Sequence, residues 1–427
     1  MESSALVYII LTVVTVFLAC FVQGFASWRP IQKAGAGQAA QKVAAAGQAT
    51  QKVAAAGQAT QVTWWTRTAQ KMMRRQQDQA ADVGSGWPGG VVRGSRAYAR
   101  SLVAEFAIFC LLTGVSACRI AVGNDYWVYR FNFRLIAQER HVSSEMGFNL
   151  IVRWMQKLFG YDNYLPIFAL FSLLTVWFFV RALHGQARHY AFSLFLLMTG
   201  GYYFNSLNTV RYYLALSIAL YAMQYVLRGE VGKFLLWVLF GTVFHKSILL
   251  VIPVYLAAYG LARVKLKKWH FVVGALGIAS LVFCQDLYRE VVFAFYPFYR
   301  DSAFDTGHIS WVNVLKCVGT LALCAICYKK SLRDNVANRF YFFLNVMALM
   351  VYPCGNFIPE VSRVGYYLII SQIFLLPSLV YDMDVKWLKN VMFVGTAGAF
   401  TCYFFVLLRG MYATDIRLLP YLNWIFN

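Results

Sequence analysis

Long apolar blocks of roughly 20 residues, separated by short polar stretches, fill this chain from end to end, and that is the length an α-helix needs to cross a hydrocarbon core of ~30 Å. Met1–Phe25, Ser101–Val122 and Trp387–Leu408 show the pattern most plainly. Tyr164–Leu183, His189–Phe204, Ser206–Leu227, Trp269–Gln285, Ile309–Tyr328, Phe340–Tyr352 and Val361–Val380 repeat it. The pattern predicts an all-α polytopic membrane protein with about ten full transmembrane helices.

Charge orders these helices. Lys and Arg collect in cytoplasmic loops. The stretch 29–100 carries eleven of them against Asp78 and Asp82, so it is expected inside and the N-terminus outside. Arg181, Arg188, Arg228, Lys233, Lys329, Lys330, Arg333 and Arg339 then fall inside in turn, and the tail Arg409–Asn427 ends outside. Phe234–Leu261 breaks the alternation, because Lys233 precedes it and Arg263, Lys265, Lys267 and Lys268 follow it. A single span would place that second cluster outside. A hairpin of short or re-entrant helices, with His245-Lys246-Ser247 at its tip, obeys the charge rule. Polar backbone at that depth requires protein or a wet cavity around it.

Composition agrees with a membrane bundle: 60% of residues are hydrophobic, 13% charged, and mean hydropathy is +0.54. A net charge of +21 would otherwise point to nucleic acid, but in such a chain it reflects the inner loops. The chain divides into a first helix (1–28), a loop (29–100) and a polytopic domain (101–427). In the loop, Gln41–Thr50, QKVAAAGQAT, repeats without change as Gln51–Thr60. Such Ala-, Gly- and Gln-rich sequence cannot build a core, so a disordered cytoplasmic loop is expected. Cys324 and Cys327 form a CxxC inside an apolar run with no second pair. No metal site or cofactor is expected.

The conspicuous polar residues fall on the outer side of this topology. Asp125 and Tyr129 lie in NDYWVY after the second helix; Glu145 precedes an amphipathic stretch, Met146–Phe159, expected along the interface. Arg211 opens a helix within NTVRYYLALSIAL, His245 crowns the hairpin, and Arg363 opens a later helix after Pro359-Glu360. Tyr296, Tyr299, Arg300 and Asp301 occupy one outer loop, and Arg417–Tyr421 the tail. Each has a plain alternative: a solvated loop acid, snorkelling arginines, a satisfied core histidine, an aromatic belt. Their convergence on one face favours a site. Two guanidinium groups suit a diphosphate, because each pairs bidentately with phosphate oxygens and stays charged anywhere. Asp125, Glu145 or His245 could take a proton from an attacking hydroxyl, and the residues alone do not order the three.

In order and spacing, NDYWVY, EMGFNL, NTVRYYLALSIAL, FHKS and SRVGYY resemble the EpsG family of exopolysaccharide polymerases, over about 101–427. The resemblance implies a multi-pass protein of the bacterial plasma (inner) membrane that polymerises polyprenyl-diphosphate-linked oligosaccharide on the outer face. The family's characteristic residues correspond here to Asp125, Glu145, Arg211, His245 and Arg363. The expected assignment is Asp125, Glu145 and His245 in catalysis, with Arg211, Arg363, Tyr129, Tyr299 and Arg417 binding substrate. Expected partners are the lipid-linked oligosaccharide, the bilayer, and chain-length regulator and export proteins. The family's common Arg-Gln appears here as Arg211-Tyr212, and the repeat loop is foreign to it. A flippase for lipid-linked sugars and a polysaccharide acyltransferase are the alternatives.

Overall fold

The computed structural model describes residues 3–22, 96–265, 267–295, 297–300, 302, 307–413 and 416–425. The repeat segment, apart from the residues that open the second helix, lies outside them, as do Tyr296 and Asp301. Every regular element among the described residues is helical; one isolated bridge joins Arg119 to Asn423. In chain order they are α1 (Ser3–Ala19), α2 (Arg96–Ala117), α3 (Asp125–Ala137), α4 (Met146–Phe159), α5 (Leu165–Gln186), α6 (Tyr190–Thr199) and α7 (Val210–Arg228). There follow α8 (Val231–Thr242), α9 (Val251–Arg263), α10 (Lys268–Phe283), α11 (Gln285–Phe295) and α12 (Trp311–Ile326). The last are α13 (Val336–Val351), α14 (Val361–Ile369), α15 (Gln372–Tyr381) and α16 (Lys386–Gly410).

Five of these helical stretches are long and apolar enough to cross a membrane, or six if the bent pair α10–α11 is one span. The protein is therefore a multi-pass membrane protein. The expected ten full-length spans are not matched one for one, since several appear as shorter apolar helices. His189–Phe204, for example, is not one span. α6 has ten residues, about 15 Å at 1.5 Å per residue. It stops at Gly200-Gly201, where Gly201 takes φ +81°, and the chain turns into the single turn Tyr202–Asn205.

α7 is the axis of the bundle. At 19 residues it has the length of a span, but its four tyrosines, two arginines and a glutamine lower its hydropathy below that of the five. Such a helix avoids lipid by burial. Leu214, Ala215, Leu216, Ile218, Ala219, Leu220 and Ala222 are wholly enclosed, with α5 and α8 packed alongside. The outer helices are the reverse: Phe106, Leu276, Leu315 and Val394 stand 64–68% exposed. An apolar rim of that extent is the face that meets acyl chains.

The helical run breaks at His245, between α8 and a 3₁₀ turn, Lys246–Leu250, that runs on into α9. The segment before it, α8, has 12 residues, and the one after it, counted with its 3₁₀ turn, reaches 18. α4 packs against this break. A Cβ on Gly147 would stand 1.9 Å from Val243 Cγ1 and 2.9 Å from the Val243 carbonyl oxygen, so only glycine permits this approach.

Candidate functional site

Three segments distant in sequence close over one end of α7. Gly123 N–H donates to the Arg417 carbonyl at 2.7 Å and Asn124 N–H to the Ile416 carbonyl at 3.1 Å, so the tail fastens the turn before α3. The Asp125 N–H in turn donates to Asn208 Oδ1 at 2.9 Å, and the Asp125 carboxylate bonds the Thr209 side chain. Burial pushes the Asp125 carboxyl above its usual range, against the opposing pull of Thr209, Arg363 and Arg211.

Arg211, in the first turn of α7, is already engaged. It pairs with Glu145, lies over the Phe148 ring at 5.3 Å and bonds the Tyr129 hydroxyl. Tyr129 Oη also accepts the Arg211 backbone N–H at 3.4 Å. The second Glu145 oxygen accepts the Lys246 N–H at 3.3 Å. One carboxylate thereby ties the start of α4 to α7 and to the break at His245.

His245 is tied down beside them. Its Nδ1 accepts the Ser247 N–H at 3.3 Å and lies 2.7 Å from Ser247 Oγ, which is 3.0 Å from Tyr367 Oη. Because Nδ1 accepts a backbone N–H, the neutral ring carries its proton on Nε2. Burial first, then the charges of Arg211 and Arg363, lower its pKa to about 3. At neutral pH this ring offers an N–H, and its one lone pair is occupied.

Beside this cluster opens a cavity of about 450 Å³, walled by the start of α7, the start of α12, the start of α14 and the end of α16. Its polar lining includes Asn208, Thr209, Tyr212, Asn313, Glu360 and Arg363. Arg363 is held at both ends of its residue: Tyr212 Oη donates to its carbonyl at 2.6 Å, and its Nε lies 2.8 Å from Glu360 Oε2. Its Nη groups make no hydrogen bond among the described residues and remain free to grip a ligand. Glu360 occupies the left-handed region at φ +53°, which costs an L-residue roughly 1–2 kcal/mol. Such backbone outliers gather at functional sites. A smaller cavity of about 230 Å³ adjoins the first and shares Ser310, Glu360, Ser362 and Tyr366 with it.

Of the residues singled out from sequence, Arg363 lines the large cavity. Asp125 bonds Asn208 and Thr209, which line it, whereas Arg211, Glu145, Tyr129 and His245 form a neighbouring cluster that lines neither cavity. Tyr299 lies within electrostatic reach of Arg363 and Glu360, and burial raises its hydroxyl pKa. Two expectations do not place a side chain here. Arg417 gives its carbonyl to Gly123 while its side chain is exposed, and Arg300 pairs with Glu290 at 2.5 Å on the surface. Glu360 was not singled out, and no composition or spacing signal announces a strained glutamate. Arg119 was also passed over. It is 1% exposed, bonds Ser116 and Ser172, lies 5.0 Å from the Phe168 ring, and burial lowers its pKa to about 10.

Comparison with known proteins bears on the same residues. The sequence model of the EpsG family matches residues 103–423, a stretch that contains every group described in this site. No curated protein and no solved structure matches the chain.

Proposed function

Because the chain belongs to the EpsG family, we propose that it is a glycosyltransferase that polymerises polyprenyl-diphosphate-linked oligosaccharide units into exopolysaccharide or capsule. Its place would be the bacterial plasma (inner) membrane, with about ten passes, both termini outside and the cavity at the outer face. The observation that carries this reading is Arg363: a guanidinium paired with Glu360 through Nε, its Nη groups without a partner among the described residues, in a polar cavity beside lipid-facing helices. A departing diphosphate needs that kind of fixed positive charge in a site shielded from bulk water.

In this reading the Arg363 Nη groups hold the diphosphate oxygens bidentately. Arg211 adds its charge from behind the wall, while Glu145 keeps it and the break at His245 in place. Asp125 orients Thr209 and Asn208 towards the donor sugar, and Tyr299 and Tyr129 complete the polar surround. His245 offers its Nε2–H to an oxygen on the substrate. Transfer joins an acceptor hydroxyl oxygen to the donor's anomeric carbon, and the bond from that carbon to the diphosphate breaks.

Purified protein in nanodiscs, given a lipid-linked repeat unit, is expected to yield a ladder of products and to release polyprenyl diphosphate. If no ladder forms and the unit instead equilibrates across a proteoliposome membrane, the protein is a carrier. Transfer of acyl groups to finished polymer would identify an acyltransferase.

A further inference from the structure

The smaller cavity differs in chemistry from the larger. Among the described residues no Lys or Arg lines it, whereas Arg363 lines the larger. Its walls combine the hydroxyl residues Ser310, Ser362, Tyr352 and Tyr366 with His308, the apolar Ile358, Pro359 and Val361, and the turns at Gly307 and Gly355. The Tyr352 hydroxyl is buried and, among the described residues, without a hydrogen-bond partner, a costly state unless a ligand or water answers it. The wall itself is closely built. A Cβ on Gly355 would come within 2.4 Å of the His308 carbonyl oxygen, backbone against backbone. A neutral, hydroxyl-bearing ligand the size of one sugar ring fits this lining.

Glu360 stands at the junction of the two cavities, and among the described residues it is the carboxylate that lines both. It is also the direct partner of Arg363, the diphosphate ligand proposed above. Resting on that reading, we propose that the smaller cavity binds the terminal sugar of the acceptor and that Glu360 is the catalytic base that takes the proton of its attacking hydroxyl. The acceptor O–H bond breaks towards a Glu360 oxygen as its oxygen bonds to the donor's anomeric carbon. The carbon–oxygen bond to the diphosphate breaks with its electron pair, and the polyprenyl diphosphate leaves on Arg363. Each proton and electron pair is accounted for without a co-reactant.

Glu360 Oε2 pairs with the Arg363 Nε while the Nη groups take the diphosphate, so the other carboxylate oxygen is left for the acceptor.

The test uses full-length protein in nanodiscs with a lipid-linked repeat unit as donor and a soluble oligosaccharide of the same terminal sugar as acceptor. Glu360→Gln keeps the shape and still accepts from Arg363. It is expected to lower kcat by about 10²–10⁴ and to leave donor KM within about threefold. Tyr352→Phe is expected to raise acceptor KM about five- to tenfold with donor KM unchanged. If wild-type protein extends the acceptor and Glu360→Gln does so at an unchanged kcat, or raises only donor KM, Glu360 is not the base. Unchanged acceptor KM in Tyr352→Phe removes the sugar from the smaller cavity. Wild-type protein that makes no product overturns the polymerase reading itself, a result separable from the other two.

Discussion

Replacing Arg363 by lysine keeps the charge and removes the geometry. The native side chain pairs with Glu360 through Nε at 2.8 Å and turns its Nη groups to the cavity. Two charge-assisted hydrogen bonds to a diphosphate are worth roughly 1.5–3 kcal/mol each, about 3–6 kcal/mol together. The side chain is 33% exposed, so water screens part of this and the lower half of the range applies. At ~1.4 kcal/mol per decade, Arg363→Ala should lose about 10²–10³ in kcat/KM. Lysine is a point donor that cannot span two oxygens or hold Glu360 by Nε, so Arg363→Lys should lose about 10- to 100-fold. The assay is ladder formation from a lipid-linked repeat unit at sub-saturating donor, with detergent gel filtration to show that each variant is intact. Wild-type kcat/KM in an intact Arg363→Lys protein would refute the bidentate grip.

Three further outcomes follow from the neighbouring residues. Glu145→Gln leaves Arg211 without its counter-ion; breaking a fully buried pair costs roughly 3–5 kcal/mol, and with side chains 13% and 25% exposed the loss should be about 1–3 kcal/mol. Thermal unfolding should show it, and adding Arg211→Gln should recover part; a double variant no more stable than Glu145→Gln would contradict the pairing. Asp125 has a raised folded pKa, so its contribution is present at low pH and lost as pH rises through that value. Asp125→Asn should therefore melt higher than wild type at pH 7.5 and lose that advantage towards pH 4; a lower melting temperature at pH 7.5 would count against burial as the cause. His245 has its pKa depressed from 6.5 to about 3, so its contribution is full above about 6.5 and is lost progressively as pH falls through that window. His245→Gln should flatten the fall in melting temperature between pH 6.5 and 4, and an unchanged slope would place the effect elsewhere.

Hydropathy read well wherever a helix meets lipid on one side. Trp387–Leu408 appears as Lys386–Gly410, and the amphipathic stretch Met146–Phe159 has those bounds. The charge rule pointed to a break at His245, because a basic cluster on both flanks of one apolar run has few topological solutions, and the helix does end there. It failed at His189–Phe204, where an apolar run continues across Gly200-Gly201 although the backbone turns at a positive φ. Block hydropathy sees side chains, not dihedrals. The site was legible as a list of charges but not as a geometry. Arg211 and Arg363 look alike in sequence, yet one is spent on Glu145 and Tyr129 and the other faces a cavity. Arg119 and Glu360 were missed for a shared reason: burial and strain arise from contacts between segments, and Asn423 lies far along the chain from Arg119.

Ser362 lines both cavities, one residue before Arg363, and supplies the most direct probe of where the reaction would take place. In a background with the exposed Cys20, Cys110, Cys284 and Cys402 replaced by serine, Ser362→Cys is treated in intact cells with a membrane-impermeant maleimide. Labelling from outside, blocked by added lipid-linked oligosaccharide, is the result that an outward-facing diphosphate site predicts. Labelling only after the cells are permeabilised, or labelling that the lipid-linked substrate leaves untouched, would contradict it.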